Sequence, residues 1–382
     1  MNLFKTRVYA DAAAATPISR RSARELVRLL HVYGNAGAIH REGVEAKKEL
    51  ERARKSIADS IHAHADEIIF TASGTESNNL GIQGVFKQGH AITSAIEHQS
   101  VLEPLRMLVR KGLTLTEVGV DAEGLLFPNA LLDAVRPETV FVSVQLVNSE
   151  MGAIEPIKEI AKNLRRAKNK IYFHTDASQA PLWMELNVEQ LGVDMMTLDA
   201  LKVLGPKGVG VLYVRRGTPI EPVLWGGKQE RGLRGGTENV PQAGAFAVAL
   251  ADAKRAVTKR VKNISAVRDY LLQEITQLIP EVILNGPPSG YTRVANNLNI
   301  SIPGLDAEMA VVSLDALGVS ASTRSTCTIG DDEPSHVIKA LGVSAEIASA
   351  AIRITLLPDA TRAHARRIAA ALFETAIRYR RG

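Results

Sequence analysis

Short runs of apolar and β-branched residues alternate with segments of helical periodicity between about residue 40 and residue 215. Seven runs have the length and composition of buried strands, and they cover residues 68–71, 91–94, 114–118, 140–146, 171–175, 194–198 and 209–214. Between them, apolar residues recur three and four positions apart in residues 44–60, 76–87, 99–111 and 156–167. Strand followed by helix, repeated, predicts an α/β fold in which a mostly parallel seven-stranded sheet carries helices on both faces.

The pattern changes after a glycine-rich stretch at residues 226–236. A long helical segment at 241–278 comes first, and shorter strand and helix candidates follow it. We therefore expect two domains. The large one covers residues 15–255, and residues 1–14 together with 256–382 form a smaller α+β domain.

The composition is that of an ordinary globular protein. The chain has 46 Lys and Arg against 41 Asp and Glu, so its net charge is +5. Charges of both signs are interleaved and only 4% of residues are aromatic, which argues against nucleic-acid binding. We interpret the basic residues 362–381 as the solvated face of a terminal helix, because apolar residues recur there at helical spacing.

The cysteine content and the hydropathy of the chain indicate the cellular compartment of the protein. The single cysteine, Cys327, cannot form an internal disulfide, and no cysteine cluster is available to hold a metal. No stretch approaches the ~18 apolar residues of a membrane span, and the first residues lack the apolar core of a targeting signal. The sequence predicts a cytoplasmic protein without membrane contact and without a bound metal.

The first segment that could bind a ligand, residues 72–79, follows a strand candidate. Small residues, among them Gly74 and Thr75, lead directly into a helix, where free backbone N–H groups and the helix dipole attract an anion. Ser73 and Glu76 also have the spacing of a capping box, which needs no ligand. Phosphate binding and helix capping are both open at this point.

Asp176 and Lys202 stand at the ends of successive strand candidates. In an open parallel sheet, ligands bind at the carboxyl ends of the strands. A lysine in an apolar pocket can form a Schiff base with an aldehyde, and a carboxylate can hold a pyridine nitrogen protonated. Together with the phosphate turn, these residues describe a site for pyridoxal 5'-phosphate (PLP). The alternative is a structural ion pair between the two side chains.

Ten short motifs, each weak alone, follow one another along most of the chain. They occupy residues 9–13, 34–40, 67–71, 75–79, 97–98, 147–152, 174–179, 205–208, 230–239 and 333–335. In this order they resemble the cysteine desulfurases of the NifS/IscS type, which are class V aminotransferases.

The resemblance implies a PLP-dependent transferase of fold type I that converts L-cysteine to L-alanine. The sulfur would pass to a cysteine of the enzyme as a persulfide, and then to an acceptor protein for iron–sulfur cluster assembly or tRNA thiolation. It also implies a homodimer with its sites at the subunit interface. The positions that match functional residues of the family are Asn35, Gly74, Thr75, His98, Asn148, Asp176, Gln179, Lys202, Thr237, Cys327 and Arg353.

The roles of the cofactor-binding positions are implied by this resemblance alone. Lys202 matches the lysine that holds PLP and shuttles protons, His98 the histidine that stacks on the ring, and Asp176 the partner of the ring nitrogen. Gly74 and Thr75 match the phosphate turn. For His98 the structural alternative is a capping or core histidine.

The remaining positions bind the cofactor or the substrate by the same resemblance. Thr237 matches a residue that reaches the phosphate from the second subunit, and Gln179 and Asn148 match residues at the phenolic oxygen or the substrate. Asn35 and Arg353 match substrate-binding residues. Arg353 would grip the substrate carboxylate, a task suited to a bidentate guanidinium, and a structural ion pair is the alternative.

Cys327 lies in a polar stretch, residues 322–332, that has no apolar period. A nucleophilic thiol must be reachable and must lose its proton, which an exposed loop allows. The distance from Cys327 to residues 333–335 matches the catalytic-cysteine loop of the family. We therefore interpret Cys327 as the persulfide carrier, with an inert thiol as the alternative.

Two segments depart from the family pattern. Residues 199–202 read Asp-Ala-Leu-Lys where the family usually has Ser-x-His-Lys, so Asp199 and Leu201 replace two phosphate contacts. Because a carboxylate repels a phosphate dianion, Asp199 must turn away, be neutralised or weaken cofactor binding. Arg324 replaces the usual glycine before Ser-x-Cys, which either activates the thiol or stiffens the loop.

Other functions stay open at this stage. A selenocysteine lyase or an aminotransferase of the same family would keep PLP, Lys202 and Arg353. A regulatory subunit that holds little PLP is suggested by Asp199 and Leu201.

Overall fold

The computed structural model describes residues 7–290, 292–323 and 334–381. Its strands are β1 (Val8–Tyr9), β2 (Ile68–Thr71), β3 (His90–Ser94), β4 (Thr114–Val118), β5 (Thr139–Ser143), β6 (Tyr172–Asp176), β7 (Met195–Asp199), β8 (Gly210–Val214), β9 (Ile283–Leu284), β10 (Asn297–Ser301), β11 (Val319–Ser320) and β12 (Ala351–Thr355). Its helices are α1 (Arg20–Leu29), α2 (Arg41–Ile61), α3 (Gly74–Val85), α4 (Gln99–Arg110), α5 (Pro128–Asp133), α6 (Ile157–Leu164), α7 (Val188–Leu191), α8 (Val240–Leu278), α9 (Ala307–Ala316), α10 (His336–Lys339), α11 (Ala345–Ser349) and α12 (Arg362–Arg381).

Seven strands form the central sheet in the order β2–β8–β7–β6–β5–β3–β4. The strands from β7 to β4 run parallel, and β8 lies antiparallel to both β2 and β7. Alternate residues of β2 enter different apolar clusters, Ile68 and Phe70 one and Ile69 the other. Both faces of the sheet are therefore covered, as near-continuous apolar strands require. The predicted α/β fold with a mostly parallel seven-stranded sheet is confirmed.

The predicted strand bounds agree with the structure to within two residues, and strand β5 is the exception. It ends at Ser143, three residues before the predicted end at 146. The backbone N–H groups of Val144 and Leu146 still donate to the carbonyls of His174 and Asp176, at 3.1 and 2.8 Å. The chain thus stays extended along β6, but it leaves the regular ladder as it approaches the site.

A second group of strands follows the central sheet in sequence. Strands β12, β10 and β9 form an antiparallel sheet, and β1 pairs in parallel with β11. The side chain of Asn239 caps α8, and α8 then runs without interruption past residue 255, contacting α1, α2 and α12. The predicted division at residue 255 falls inside this helix, and the division into two domains stays a prediction.

The basic residues near the end of the chain form α12, as the sequence predicts. Ile368, Leu372 and Ala376 are buried on one face of this helix, which packs against α8 and α9. Among the helices of the described residues, none combines the length and the apolar character needed to cross a membrane.

Candidate active site

The turn between β2 and α3 lies at the edge of the central sheet where the parallel strands end. The Oγ of Ser73 accepts the backbone N–H of Glu76 at 3.2 Å, so the predicted cap forms. The Glu76 carboxylate accepts the N–H of Ala72 rather than that of Ser73, at 2.7 Å, and it also pairs with Arg234. A Cβ on Gly210 would lie 2.5 Å from the carbonyl carbon of Ser73, so this glycine lets the turn lie directly on β8.

Asp199 ends β7 and faces this turn. Its Oδ2 accepts the backbone N–H of Gly74 at 3.0 Å, and its Oδ1 accepts the N–H of Leu201 at 2.9 Å. The carboxylate therefore faces the turn at which the phosphate is predicted to bind. Asp199 caps the first N–H of α3 because β7 and β2 bring it to the same edge of the sheet.

Lys202 follows Asp199 in a single 3-10 turn, Ala200–Lys202. Its Nζ donates to the carbonyls of Ala13 and Ala14, at 2.8 and 2.6 Å. The side-chain amide of Gln179 donates to the carbonyl of Ala13 at 2.9 Å. The segment after β1 thus lies over the lysine and brings Lys202 and Gln179 together, as predicted for two residues of one site.

Asp176 lies at the carboxyl end of β6, between neighbouring strand ends. Its Oδ1 accepts the N–H of Ser178 at 2.9 Å, and its Oδ2 accepts the amide of Asn78 at 2.8 Å. The same amide of Asn78 donates to the Oγ of Ser100 at 2.8 Å. Asn78 was not predicted as a site residue. Its place within the motif at 75–79 was the available signal.

His98 begins α4 and completes this network. Its Nδ1 accepts the N–H of Ser100 at 3.1 Å and lies 2.7 Å from the Oγ of Ser100. Burial lowers the pKa of His98, and the carboxylate of Asp176 opposes this shift. Because Nδ1 accepts the N–H of Ser100, the ring proton lies on Nε2. His98 caps α4, as the structural alternative predicts, and it also lies beside Asp176 and Asn78; that it stacks on the cofactor ring stays a prediction.

Arg353 lies at the centre of β12 and is only 1% exposed. Its Nη2 donates to Oδ1 of Asp11 at 2.8 Å, and its Nη1 donates to the carbonyl of Ser149 at 3.3 Å. The buried Nε has no acceptor within the described part of the chain. The ion pair proposed as the structural alternative exists, and its partner, Asp11, was not predicted as a site residue.

The structure also places three further residues that were predicted for the site. The amide of Asn148 is buried, donates to the carbonyl of Ile96 at 3.1 Å and accepts two backbone N–H groups. Asn35 is exposed between α1 and α2, and its Oδ1 accepts the N–H of Gly37 at 2.9 Å. Thr237 is exposed on the surface of the single chain.

Cys327 and Arg324 lie outside the described residues, but the chain on either side of them is anchored beside the site. The backbone groups of Ser322 and Arg353 pair with each other, at 3.2 and 2.6 Å. On the other side, the Oγ of Ser335 donates to the carboxylate of Glu150 at 2.5 Å, and His336 donates to the carbonyl of Glu97 at 3.0 Å. Glu97 directly precedes His98 in the chain.

Comparison with known proteins identifies the family. The model of the family described as Aminotransferase class-V matches residues 8–368. A cysteine desulfurase IscS of Dictyoglomus turgidum is 42% identical over 359 residues, which are 92% of this chain and 90% of that protein. A solved NifS-like protein has a TM-score of 0.91 at 31% identity, and the match covers 97% of this chain and all of that one. SspA in complex with cysteine has a TM-score of 0.80 at 32% identity, with 92% and 99% coverage.

The chain belongs to the class V aminotransferase family and has its architecture, that of the PLP-dependent transferases of fold type I. Within this family it groups with the cysteine desulfurases of the NifS/IscS type. The resemblance inferred from the motifs is thereby confirmed.

Enzymes of this family depend on PLP, and the site fits that cofactor. Lys202 and Asp176, the residues predicted to meet the aldehyde and the ring nitrogen, lie at the ends of neighbouring strands. At the phosphate end, a Cβ on Gly74 would lie 3.1 Å from Oδ2 of Asp199 and 3.2 Å from Oγ of Ser178. A side chain at position 74 would therefore require Asp199 or Ser178 to shift by a few tenths of an ångström.

Proposed function

We propose that this enzyme removes the sulfur of L-cysteine, releases L-alanine and holds the sulfur on Cys327 as a persulfide. One observation carries the proposal. Ser322 and Ser335, the described residues that flank the cysteine segment, are anchored at Arg353 and at Glu150 beside the site.

Chain length supports contact between Cys327 and a bound substrate. Cys327 lies five positions after Ser322, since 327 − 322 = 5. An extended chain covers at most about 3.6 Å per residue, so five residues reach about 18 Å. Ser322 pairs with the arginine proposed to bind the substrate, and this reach therefore includes the substrate's side chain.

Arg353 binds the substrate carboxylate in this proposal. Its guanidinium is already oriented by Asp11 and by the carbonyl of Ser149, so little conformational freedom is lost on binding. A carboxylate of the substrate replaces or shares the contact made by Asp11. The reacting end of the amino acid is thereby directed toward Lys202.

Lys202 carries out the proton transfer, and the residues around it hold its amine in place. When bound, PLP supplies an electron sink that stabilises negative charge at Cα of the amino acid. The Nζ of Lys202 removes the proton from Cα and returns it later, and the carbonyls of Ala13 and Ala14 hold this amine in place. Asp176 keeps the ring nitrogen protonated. The Cys327 thiolate then attacks the sulfur of the substrate, so that an S–S bond forms while the Cβ–S bond breaks. The electron pair of the broken bond stays with the carbon skeleton, which takes up a proton and leaves as alanine.

We further propose that the enzyme works as a cytoplasmic homodimer that passes sulfur to an acceptor protein of iron–sulfur cluster assembly or tRNA thiolation. The exposed position of Thr237 supports the dimer, because a residue that completes the partner's cofactor site must lie on the surface of its own chain. A single cysteine is consistent with a reducing compartment.

The decisive experiment measures alanine and sulfide released from L-cysteine in the presence of a reductant. We expect Cys327→Ser to lower alanine release at least about 100-fold, because the nucleophile is lost, while the visible absorbance of bound PLP stays unchanged. Ser325→Ala, a small change in the same segment, is the matched control and keeps its activity. Equal alanine release by wild type and Cys327→Ser would refute the persulfide role.

A further inference from the structure

We propose that Asp199 is an internal competitor of the cofactor phosphate, and that it lowers the affinity of the apoenzyme for PLP. The inference rests on the proposed function, since it takes the phosphate to bind at the turn that begins α3. It assigns to this chain a residue that limits how fully the enzyme is loaded with its cofactor.

The geometry places a negative charge where an anion would bind. Helix α3 is 12 residues long, and its first backbone N–H, that of Gly74, donates to the Asp199 carboxylate at 3.0 Å. The N-terminus of a helix carries partial positive charge and attracts phosphate groups. Asp199 therefore satisfies the same N–H group and the same end of the helix dipole that a phosphate would use.

The neighbouring charges do not remove this competition. Arg234, the cation that contacts the turn, is paired through its Nε with the Glu76 carboxylate at 2.8 Å. The opposite oxygen of Asp199 is held by the N–H of Leu201 at 2.9 Å, which fixes the carboxylate toward the turn. A phosphate that enters must displace this carboxylate or lie beside a charge of the same sign, and both weaken binding.

The Asp199 carboxylate is too close to the helix end to stand apart from a bound phosphate. Its Oδ2 lies 3.0 Å from the backbone N of Gly74, and Oγ of Ser178 borders the same glycine. A phosphate that contacts the N–H of Gly74 therefore also contacts Asp199. The neutral amide introduced by Asp199→Asn would keep an oxygen for the cap and remove the repulsion.

The test titrates the apoenzyme dimer with PLP and with pyridoxal, which lacks the phosphate, and follows visible absorbance of the bound ring. We expect Asp199→Asn to tighten the Kd for PLP about tenfold and to leave the Kd for pyridoxal unchanged within about twofold. Asp199→Ser, which keeps a hydroxyl acceptor, should act in the same direction. Thermal melting of each apo variant confirms that it is folded.

Asp194→Asn is the matched control. The Asp194 carboxylate, just before β7, also accepts a backbone N–H, that of Phe173 at 2.9 Å, but it lies at the opposite end of the strand. We expect this change to leave the affinity for PLP as it is.

Each outcome decides the proposal. Weaker or unchanged PLP binding by both Asp199 variants would overturn it, and so would equal tightening of PLP and pyridoxal. Wild-type protein that binds PLP without releasing alanine from L-cysteine would instead contradict the proposed function and leave the role of Asp199 standing.

Discussion

Two internal carboxylates, Asp11 and Asp199, bind groups that we assign to the substrate and to the cofactor. Asp11 pairs with the buried guanidinium of Arg353, and Asp199 caps the first N–H of α3. A buried cation without a partner is costly, and so is a buried N–H without an acceptor, so the fold supplies an anion from the chain itself at both places. These contacts join residues 342 and 125 positions apart, and no local sequence pattern could have predicted them.

Replacing Arg353 with lysine tests whether this residue binds the substrate carboxylate. Lysine keeps the positive charge but offers no planar fork for a carboxylate. Losing one charge-assisted hydrogen bond costs about 1.5–3 kcal/mol, so we expect the KM for L-cysteine to rise about 10- to 100-fold. The visible absorbance of bound PLP should stay unchanged, because the arginine is assigned to the substrate. Steady-state kinetics of alanine release measures this.

Arg268→Lys is the control for Arg353→Lys. Arg268 is also buried beside a carboxylate, that of Asp269, but it lies in α8 and donates to the carbonyl of Val294. It should lose stability without a change in KM. A lower kcat at unchanged KM in Arg353→Lys would contradict the assignment of this arginine to the substrate carboxylate.

At the scale of elements, the sequence predicted what depends on local pattern. Strands β2 and β4 have the predicted bounds, and α8 begins one residue from its predicted start, because apolar periodicity is read from neighbouring residues. The antiparallel direction of β8 was not predicted, since alternation of apolar residues is the same in both directions. The motifs predicted Lys202, Asp176 and His98 as site residues. The hydrogen bond between Asn78 and Asp176 could be found only from the structure, because the two residues are distant in the sequence.

His174 links three strands of the sheet. It lies on β6, and its ring nitrogens bond to the Oγ of Ser143 on β5 at 2.9 Å and to the Oγ1 of Thr197 on β7 at 3.0 Å. Complete burial lowers the pKa of His174 to about 4, although Asp176 opposes the shift. The folded protein therefore keeps this imidazole neutral under conditions in which the unfolded chain protonates it.

The sign of the resulting pH dependence follows from linkage. The unfolded chain binds a proton at His174 below its ordinary pKa of 6.5, whereas the folded protein does so only near 4. The free energy of unfolding contributed by this site is thus complete above pH 6.5 and falls as the pH drops toward 4, by roughly 3 kcal/mol. We expect His174→Gln to reduce the fall in Tm between pH 7.5 and pH 5.

Exposed His31 supplies the comparison. His31→Gln should show the same loss of Tm on acidification as the wild type, measured by calorimetry on apoenzyme. If His174→Gln loses as much Tm as the wild type over this range, His174 does not carry the pH dependence.

At the scale of the whole molecule, one surface loop carries both an apolar side chain and a proposed cofactor contact. Trp225 is 79% exposed. The backbone at Gly226 and Gly235 packs so closely that a Cβ on Gly235 would lie 2.6 Å from the Cα of Gly226. Trp225 and Thr237 therefore belong to a single loop whose two sides lie against each other at Gly226 and Gly235. An exposed tryptophan of this kind is typical of an interface centre.

We expect Trp225→Glu to shift the protein from dimer to monomer in sedimentation equilibrium, because a charge replaces an apolar contact that the second subunit would cover. It should also weaken PLP binding, since Thr237 would no longer reach the partner's site. Phe127→Ala, which removes another exposed aromatic ring outside this loop, should leave the dimer intact. A wild-type protein that sediments as a monomer would contradict the proposed homodimer. A Trp225→Glu variant that remains dimeric would show that the interface lies on another face.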